Sequence, residues 1–133
     1  MSVALLSMAI HYEQDVVAVR QKARQVAAAV GFDGQDQTRI ATAISELARN
    51  AFMYARGGEV EFLVEGQRAP QILVIRVSDR GPGIADVDAV LSGRYRSQTG
   101  MGLGMAGARR LVDRFEVTSS IGEGTTVMVG KVF

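Results

Sequence analysis

The chain has 133 residues, of which 47% are hydrophobic and 22% charged. This length and composition are typical of one compact domain, so we expect residues 1–133 to form a single domain. It contains no cysteine, which excludes disulfides, thiolate metal sites and cysteine nucleophiles. The net charge is only +1 and the arginines are dispersed, so neither sequence-independent nucleic-acid binding nor a polycationic surface is expected. The apolar residues 3–10 are too few to span a bilayer and carry no signal-peptide pattern, so we expect a cytoplasmic protein without membrane contact.

Hydrophobic periodicity predicts the elements of the first half of the chain. Helical spacing of apolar residues covers Glu13–Val30, with Gly31 as the C-terminal cap, and a second helix follows with Asp33 as its N-cap. Alternating residues after the second helix predict a β-hairpin. The predicted elements are a strand at 3–11, helices at 13–30 and from 33 to about 55, and strands at 59–65 and 72–77.

The second half of the chain is predicted to hold a glycine-rich loop, two helices and a closing hairpin. The helices are expected at 85–91 and 106–113, and the strands of the hairpin at 115–120 and 125–132. The order β α α β β α α β β predicts an α+β fold. In this fold, helices form one layer on one face of a mixed, mostly antiparallel sheet.

Ten of the fifteen glycines lie between Gly81 and Gly130. Such a concentration indicates either a loose surface loop or a segment whose backbone a ligand approaches closely. Residues 102–107 spell a dinucleotide-binding fingerprint, but no strand precedes them, and a P-loop is excluded because no Gly-Lys-Ser/Thr occurs. The pattern still predicts a glycine loop that leads into a helix N-terminus near Leu103, where phosphate oxygens are favoured.

Glu46 and Asn50 are one helical turn apart, at the rim of the apolar stripe of the second helix. A carboxylate and an amide oxygen in this arrangement suit a base that orients a nucleophile and a ligand of Mg²⁺. The alternative is the polar edge of an ordinary amphipathic helix, with Glu46 paired to Arg39 or Arg49.

Asp79 ends an apolar strand and begins a turn that contains Gly81, Pro82 and Gly83. Its carboxylate can accept a hydrogen bond from an exocyclic amine at the floor of a pocket, or it can simply cap the turn. Thr125 and Thr126 open the last strand and can lie beside Asp79 and hold a water molecule; the alternative is that they serve only as good strand formers.

Four short motifs together resemble those of the GHKL ATPases, which have the Bergerat nucleotide-binding fold. Within that family, residues 43–50 and 110–126 are similar to the switch serine/threonine kinases of stressosome-type pathways, siblings of the anti-sigma factor kinases. A sensor histidine kinase is excluded, because it needs a phosphoacceptor histidine on a dimerising helix, and the only histidine, His11, has no such helix around it. The motifs are residues 46–50, 79–83, 100–104 and 124–126.

The resemblance implies an ATP-dependent kinase that phosphorylates a serine or threonine of a STAS-domain partner. Asn50 would hold Mg²⁺, Glu46 would orient the attacking hydroxyl, and Asp79 would accept the adenine amino group, with Thr125 or Thr126 supporting it through water. The backbone contacts to the nucleotide would come from Gly81, Gly83, Gly100, Gly102, Leu103 and Gly104. Arg94, Arg96 and Arg109 are candidates to assist phosphate binding.

The resemblance also implies two other partners. A metal-dependent serine phosphatase would be activated by such a protein, in addition to the kinase reaction. The alternative function is that of an anti-sigma factor, which sequesters a sigma subunit and uses ATP to exchange partners.

Overall fold

The computed structural model describes residues 1–91 and 101–133, and in these ranges the elements follow the predicted order. None of the helices in these ranges combines the length and the apolarity that crossing a membrane requires. The elements are β1 (Ser2–Ile10), α1 (Glu13–Val30), α2 (Gly34–Ala55), β2 (Gly58–Glu65), β3 (Ile72–Asp79), α3 (Val87–Leu91), α4 (Met101–Arg109), β4 (Arg114–Ser120) and β5 (Gly124–Val132).

The five strands form one sheet in the order β1-β2-β3-β5-β4, and all four pairs are antiparallel. The α+β prediction is therefore confirmed, with an antiparallel sheet throughout the described residues. Because β5 lies between β3 and β4, the end of β3 meets the start of β5, and Asp79 pairs with Thr125. This register brings together two sequence motifs that are 46 positions apart.

The core lies between the sheet and the helices, and α2 is its central element. Ile40, Ile44, Leu47 and Ala51 recur at helical spacing and are almost fully buried. They belong to the same apolar cluster as Phe62 and the inward-facing residues of β3. This packing fixes α2 rigidly, so its polar rim is held at a defined height above the end of β3.

Both ends of α2 follow local sequence signals. The Asp33 carboxylate accepts a hydrogen bond from the backbone N–H of Asp36 at 2.8 Å, as its N-cap role predicts. The helix ends at Arg56, which takes the left-handed conformation (φ 61°), and the N–H of Gly57 reaches the carbonyl of Ala51 at 3.0 Å. The chain then enters β2 directly.

The prediction of a helix at residues 106–113 is wrong by about one turn: α4 covers Met101–Arg109, and residues 110–113 form turns that lead into β4. The glycines in residues 100–107 predict a loop, because each glycine inside a helix costs about 1 kcal/mol relative to alanine. Tertiary contacts offset that cost here. Met105 and Ala108 are buried in the core, and the absence of a side chain at Gly104 lets α4 approach α2.

Candidate functional site

A cavity of about 470 Å³ opens between α2, the end of β3, the β4–β5 turn and α4. Its wall is mostly apolar and includes Met105 and Ile84, while Asn50, Asp79 and Thr125 supply polar groups. A large apolar cavity with a few convergent polar groups is typical of a small-molecule site.

Asp79 and its hydrogen bonds form the floor of the cavity. One carboxylate oxygen, Oδ1, accepts hydrogen bonds from the backbone N–H groups of Gly81 at 2.9 Å and of Thr125 at 3.2 Å. Within residues 1–91 and 101–133 no hydrogen bond engages the other oxygen, Oδ2. Asp79 therefore both closes the turn, as its alternative reading predicted, and retains an acceptor for a ligand.

The turn after Asp79 lies against the β4–β5 turn. Gly83 has φ +80°, and a Cβ at this position would collide with the carbonyl of Ser120. The N–H of Gly122 donates to the carbonyl of Pro82 at 2.9 Å, which ties the two turns together. Gly81 lies against Ala55 at the end of α2, so the turn passes closely between α2 and β5.

Glu46 and Asn50 are half-buried on the face of α2 that meets α4, and of the two only Asn50 lines the cavity. A Cβ on Gly104 would lie 2.8 Å from Oε2 of Glu46 and 4.0 Å from Oδ1 of Asn50. The structure thus brings Asn50 and Asp79 to one cavity, and it places Glu46 and Asn50 beside Gly104 of α4. Glu46 forms no ion pair with any described residue, in contrast to the pairing with Arg39 or Arg49 that the alternative reading required.

The amide of Asn50 has an unsatisfied group. Its Nδ2 is buried and has no hydrogen-bond partner among the described residues. Leaving a buried donor unpaired costs about 1–3 kcal/mol, so such an atom is expected where a ligand completes the contacts. The described residues contain no group of three His, Asp or Glu side chains able to hold a metal. The unpaired Nδ2 can donate to a phosphate oxygen, whereas a Mg²⁺ ion would be held by Oδ1 of Asn50. Such an ion would therefore take most of its ligands from phosphate and water, which is a common arrangement for Mg²⁺.

Of the remaining predicted residues, some line the cavity, some do not, and some lie outside the described residues. Thr125 is buried and lines the cavity, whereas Thr126 does not, because successive side chains of a strand point to opposite faces. Of the two threonines, we therefore retain only Thr125. Gly102 and Leu103 lie in the first turn of α4, and Arg109 is exposed at its end. Gly100, Arg94 and Arg96 lie outside the described residues.

Sequence reasoning did not single out Ser119 of β4, which does not line the cavity but contacts residues that do. Its hydroxyl contacts both turns and the side chain of Thr125. Ser119 lies within a polar run, residues 118–120, and without the β4–β5 register strand alternation alone does not tell which of these residues lies beside Thr125.

The model of the family described as histidine kinase-, DNA gyrase B- and HSP90-like ATPases matches residues 35–132. The chain belongs to this family. It is also 43% identical over 119 residues, 90% of either chain, to the serine/threonine-protein kinase RsbT of Bacillus subtilis (strain 168). Membership of this ATPase family indicates that the chain uses ATP.

Solved structures of this family share the fold. The RsbU and RsbW domains of a Mycobacterium tuberculosis protein match with a TM-score of 0.65 and 24% identity, over 96% of this chain and 32% of that longer chain. The mycobacterial sensor histidine kinase MprB matches with a TM-score of 0.60 and 18% identity, over 99% of this chain and 96% of the other. The predicted Bergerat-type architecture is thereby confirmed.

Proposed function

We propose that this protein is a serine/threonine-protein kinase that phosphorylates a STAS-domain partner in a partner-switching pathway. The observation that carries this proposal is that Asn50 and Asp79 line the same cavity and that Glu46 lies one helical turn from Asn50. Among the described residues, Nδ2 of Asn50 has no hydrogen-bond partner and Glu46 forms no ion pair. The similarity to RsbT, which is itself named a serine/threonine-protein kinase, supports the choice of reaction.

In this proposal the adenine end selects and holds the nucleotide. Oδ2 of Asp79 accepts a hydrogen bond from the adenine amino group, and Thr125 lies beside it. The apolar wall at Met105 and Ile84 contacts the adenine ring. Gly81 and Gly83 hold the turn at the edge of the cavity, because a side chain at these positions would collide with Ala55 and with the carbonyl of Ser120, respectively.

The phosphate end then positions the reacting groups. Asn50 would hold Mg²⁺, which when bound neutralises charge on the phosphate oxygens. The first turn of α4, with Gly102, Leu103 and Gly104, supplies backbone N–H groups toward the phosphates, and Gly100 precedes it in sequence. Phosphoryl transfer depends mainly on such positioning and electrostatic stabilisation.

Glu46 acts on the partner's hydroxyl group. Its carboxylate orients the serine or threonine of the STAS-domain protein and accepts the hydroxyl proton as the oxygen–phosphorus bond forms and the bond to the β-phosphate oxygen breaks. Within the described residues no salt bridge engages Glu46, so it is free for this role.

The test measures phosphate transfer from γ-labelled ATP to purified STAS-domain proteins of the same organism. We expect Glu46→Gln to lower the transfer rate about 10²–10⁴-fold, the usual contribution of a positioned general base, with nucleotide affinity nearly unchanged. Glu59→Gln, at an exposed position on β2, is the matched control and should behave as wild type. Undiminished transfer by Glu46→Gln, or no labelled STAS-domain protein, would overturn the proposal.

The same preparation tests the other proposed partners. We propose that the protein acts in the cytoplasm and also activates a metal-dependent serine phosphatase, which phosphatase assays with and without the chain will measure. Retention of a sigma subunit in the presence of nucleotide, without STAS phosphorylation, would instead favour the anti-sigma alternative.

A further inference from the structure

Ser119 connects the two turns that border the adenine end of the cavity. Its Oγ accepts a hydrogen bond from the N–H of Ile84 at 2.7 Å and donates one to the carbonyl of Gly124 at 3.1 Å. The same oxygen lies 2.9 Å from the hydroxyl oxygen of Thr125. Thus one half-buried hydroxyl group makes three contacts.

The direction of the bond between Ser119 and Thr125 follows from the number of hydrogens available. A serine hydroxyl has one hydrogen and two acceptor lone pairs. The hydrogen of Ser119 is used on Gly124, and one lone pair is used by Ile84. Either hydroxyl group could donate in the 2.9 Å contact, and the one assignment that satisfies all three contacts of Ser119 at once has Thr125 donating its hydroxyl hydrogen to Ser119.

This assignment gives the cavity floor a defined polarity. With its hydrogen directed at Ser119, Thr125 offers only lone pairs to the cavity that it lines. Asp79 offers a carboxylate oxygen beside it, and the backbone N–H of Thr125 is already bonded to Oδ1 of Asp79. The adenine end therefore presents two acceptors and requires a ligand edge that donates, such as a purine 6-amino group.

We propose that Ser119 is a specificity-determining positioning residue, which selects 6-amino over 6-oxo purine nucleotides by fixing the hydroxyl direction of Thr125. The inference rests on the proposed binding of ATP at this cavity. A 6-oxo purine places an acceptor against two acceptors and is rejected, because its oxygen loses hydrogen bonds to water and gains none.

The test compares the affinities of ADP and inosine diphosphate by titration calorimetry, without Mg²⁺ or a protein partner. ADP carries an amino group at position 6 of the purine ring, which donates hydrogen bonds, whereas inosine diphosphate carries an oxygen atom there, which accepts them. Wild type should prefer ADP. In Ser119→Ala, Thr125 is free to turn its hydrogen toward the ligand, so the ADP preference should fall about tenfold, the equivalent of one hydrogen bond. Ser119→Thr retains the hydroxyl and should restore the preference.

A double-mutant cycle separates this role from simple support of the turns. In the Thr125→Val background there is no hydroxyl to orient, so adding Ser119→Ala should leave the ADP preference unchanged. If Ser119→Ala does not fold, Ser119→Cys replaces it, since a thiol is a weak acceptor and should shift the preference in the same direction.

Two results would overturn the inference. An unchanged ADP preference in Ser119→Ala, or an equal loss in the Thr125→Val background, would leave Ser119 with a structural role only, while the proposed kinase function would stand. Failure of the wild-type protein to bind either nucleotide would overturn the proposed function together with this inference.

Discussion

The two ends of the cavity differ in how far the protein satisfies its own polar groups. At the proposed adenine end, Asp79, Ser119 and Thr125 are joined by hydrogen bonds of 2.7–3.2 Å to each other and to the backbone of both turns. At the proposed phosphate end, Nδ2 of Asn50 is buried without a partner among the described residues, and Glu46 faces the backbone of α4.

This contrast indicates that the two ends of the cavity have different roles in ligand binding. A satisfied network is rigid and has a fixed pattern of donors and acceptors, which suits recognition of one base. An unsatisfied group is costly until a ligand completes it, and this cost favours ligand binding at that point. We infer that the adenine end is formed before the nucleotide arrives, whereas the phosphate end is completed by it.

The largest effect is expected at the incomplete end. Asn50→Ala removes the proposed Mg²⁺ ligand, and phosphate transfer should fall about 10²–10³-fold, as when one preorganised electrostatic group is lost. Titration of ATP binding with Mg²⁺ provides a second readout: the gain in ATP affinity on adding Mg²⁺ should disappear, while ADP affinity without Mg²⁺ changes little. Asn50→Asp, which keeps an oxygen ligand, is the control and should retain a response to Mg²⁺. An undiminished Mg²⁺ response in Asn50→Ala would remove Asn50 from the metal site.

A smaller effect is expected at the preformed end. Asp79→Asn keeps one oxygen for the N–H groups of Gly81 and Thr125 but turns the ligand-facing acceptor into a donor. ADP affinity should fall by about 1–3 kcal/mol, or roughly 5–150-fold, with little change in the melting temperature. Asp88→Asn on the exposed side of α3 serves as the control. A large loss of stability with unchanged affinity would show that Asp79 serves the turn and not the ligand.

The sequence was sufficient to predict the elements whose signals are local. The bounds of α1, the Asp33 cap and the alternating residues of β2 all follow from periodicity or capping within a few residues. Glu46 and Asn50 were placed at the rim of the core by helical geometry alone, and the structure shows them there. Their roles toward ATP remain predictions.

The features that were missed depend on contacts between distant segments. The predicted start of α4 was wrong because Gly104 does not break the helix. Its missing side chain makes room for Glu46, which lies 58 positions earlier in the chain. The choice between Thr125 and Thr126 requires the β3–β5 register, and Ser119 requires that of β4 and β5. A shift of one residue in either register would reverse these assignments.

Gly104 offers a more selective way to disturb the phosphate end. A methyl group there would lie 2.8 Å from Oε2 of Glu46, so the carboxylate has to move. We expect Gly104→Ala to lower the kcat of phosphate transfer about tenfold with a smaller change in the KM for ATP, because the nucleophile-orienting group is misplaced. The control on the same helix is Gly107→Ala, since a Cβ at Gly107 has no neighbour within 4 Å. Equal activity of the two variants would contradict a positioning contact between α4 and Glu46.

The smallest effect is expected outside the cavity, at the start of α1. Oδ2 of Asp15 accepts hydrogen bonds from the backbone N–H groups of His11 at 2.8 Å and Tyr12 at 2.9 Å, and these bonds lower the pKa of this exposed carboxyl group. A lowered pKa in the folded state stabilises the protein above the pKa of the unfolded chain, and this contribution is lost as the pH falls through the folded-state value. Asp15→Asn should therefore lower the melting temperature slightly at pH 7 and show no difference from wild type in strong acid.

The control for Asp15 is Glu13→Gln in the same helical turn, which removes a charge near the helix N-terminus but none of these hydrogen bonds. The difference between the two variants isolates the two backbone contacts. Neither variant should change phosphate transfer or the preference for ADP, because neither residue lines the cavity. If Asp15→Asn changed phosphate transfer or the preference for ADP, a loss of stability alone would be enough to alter the site. The two ends of the cavity would then have to be compared again in variants of equal stability.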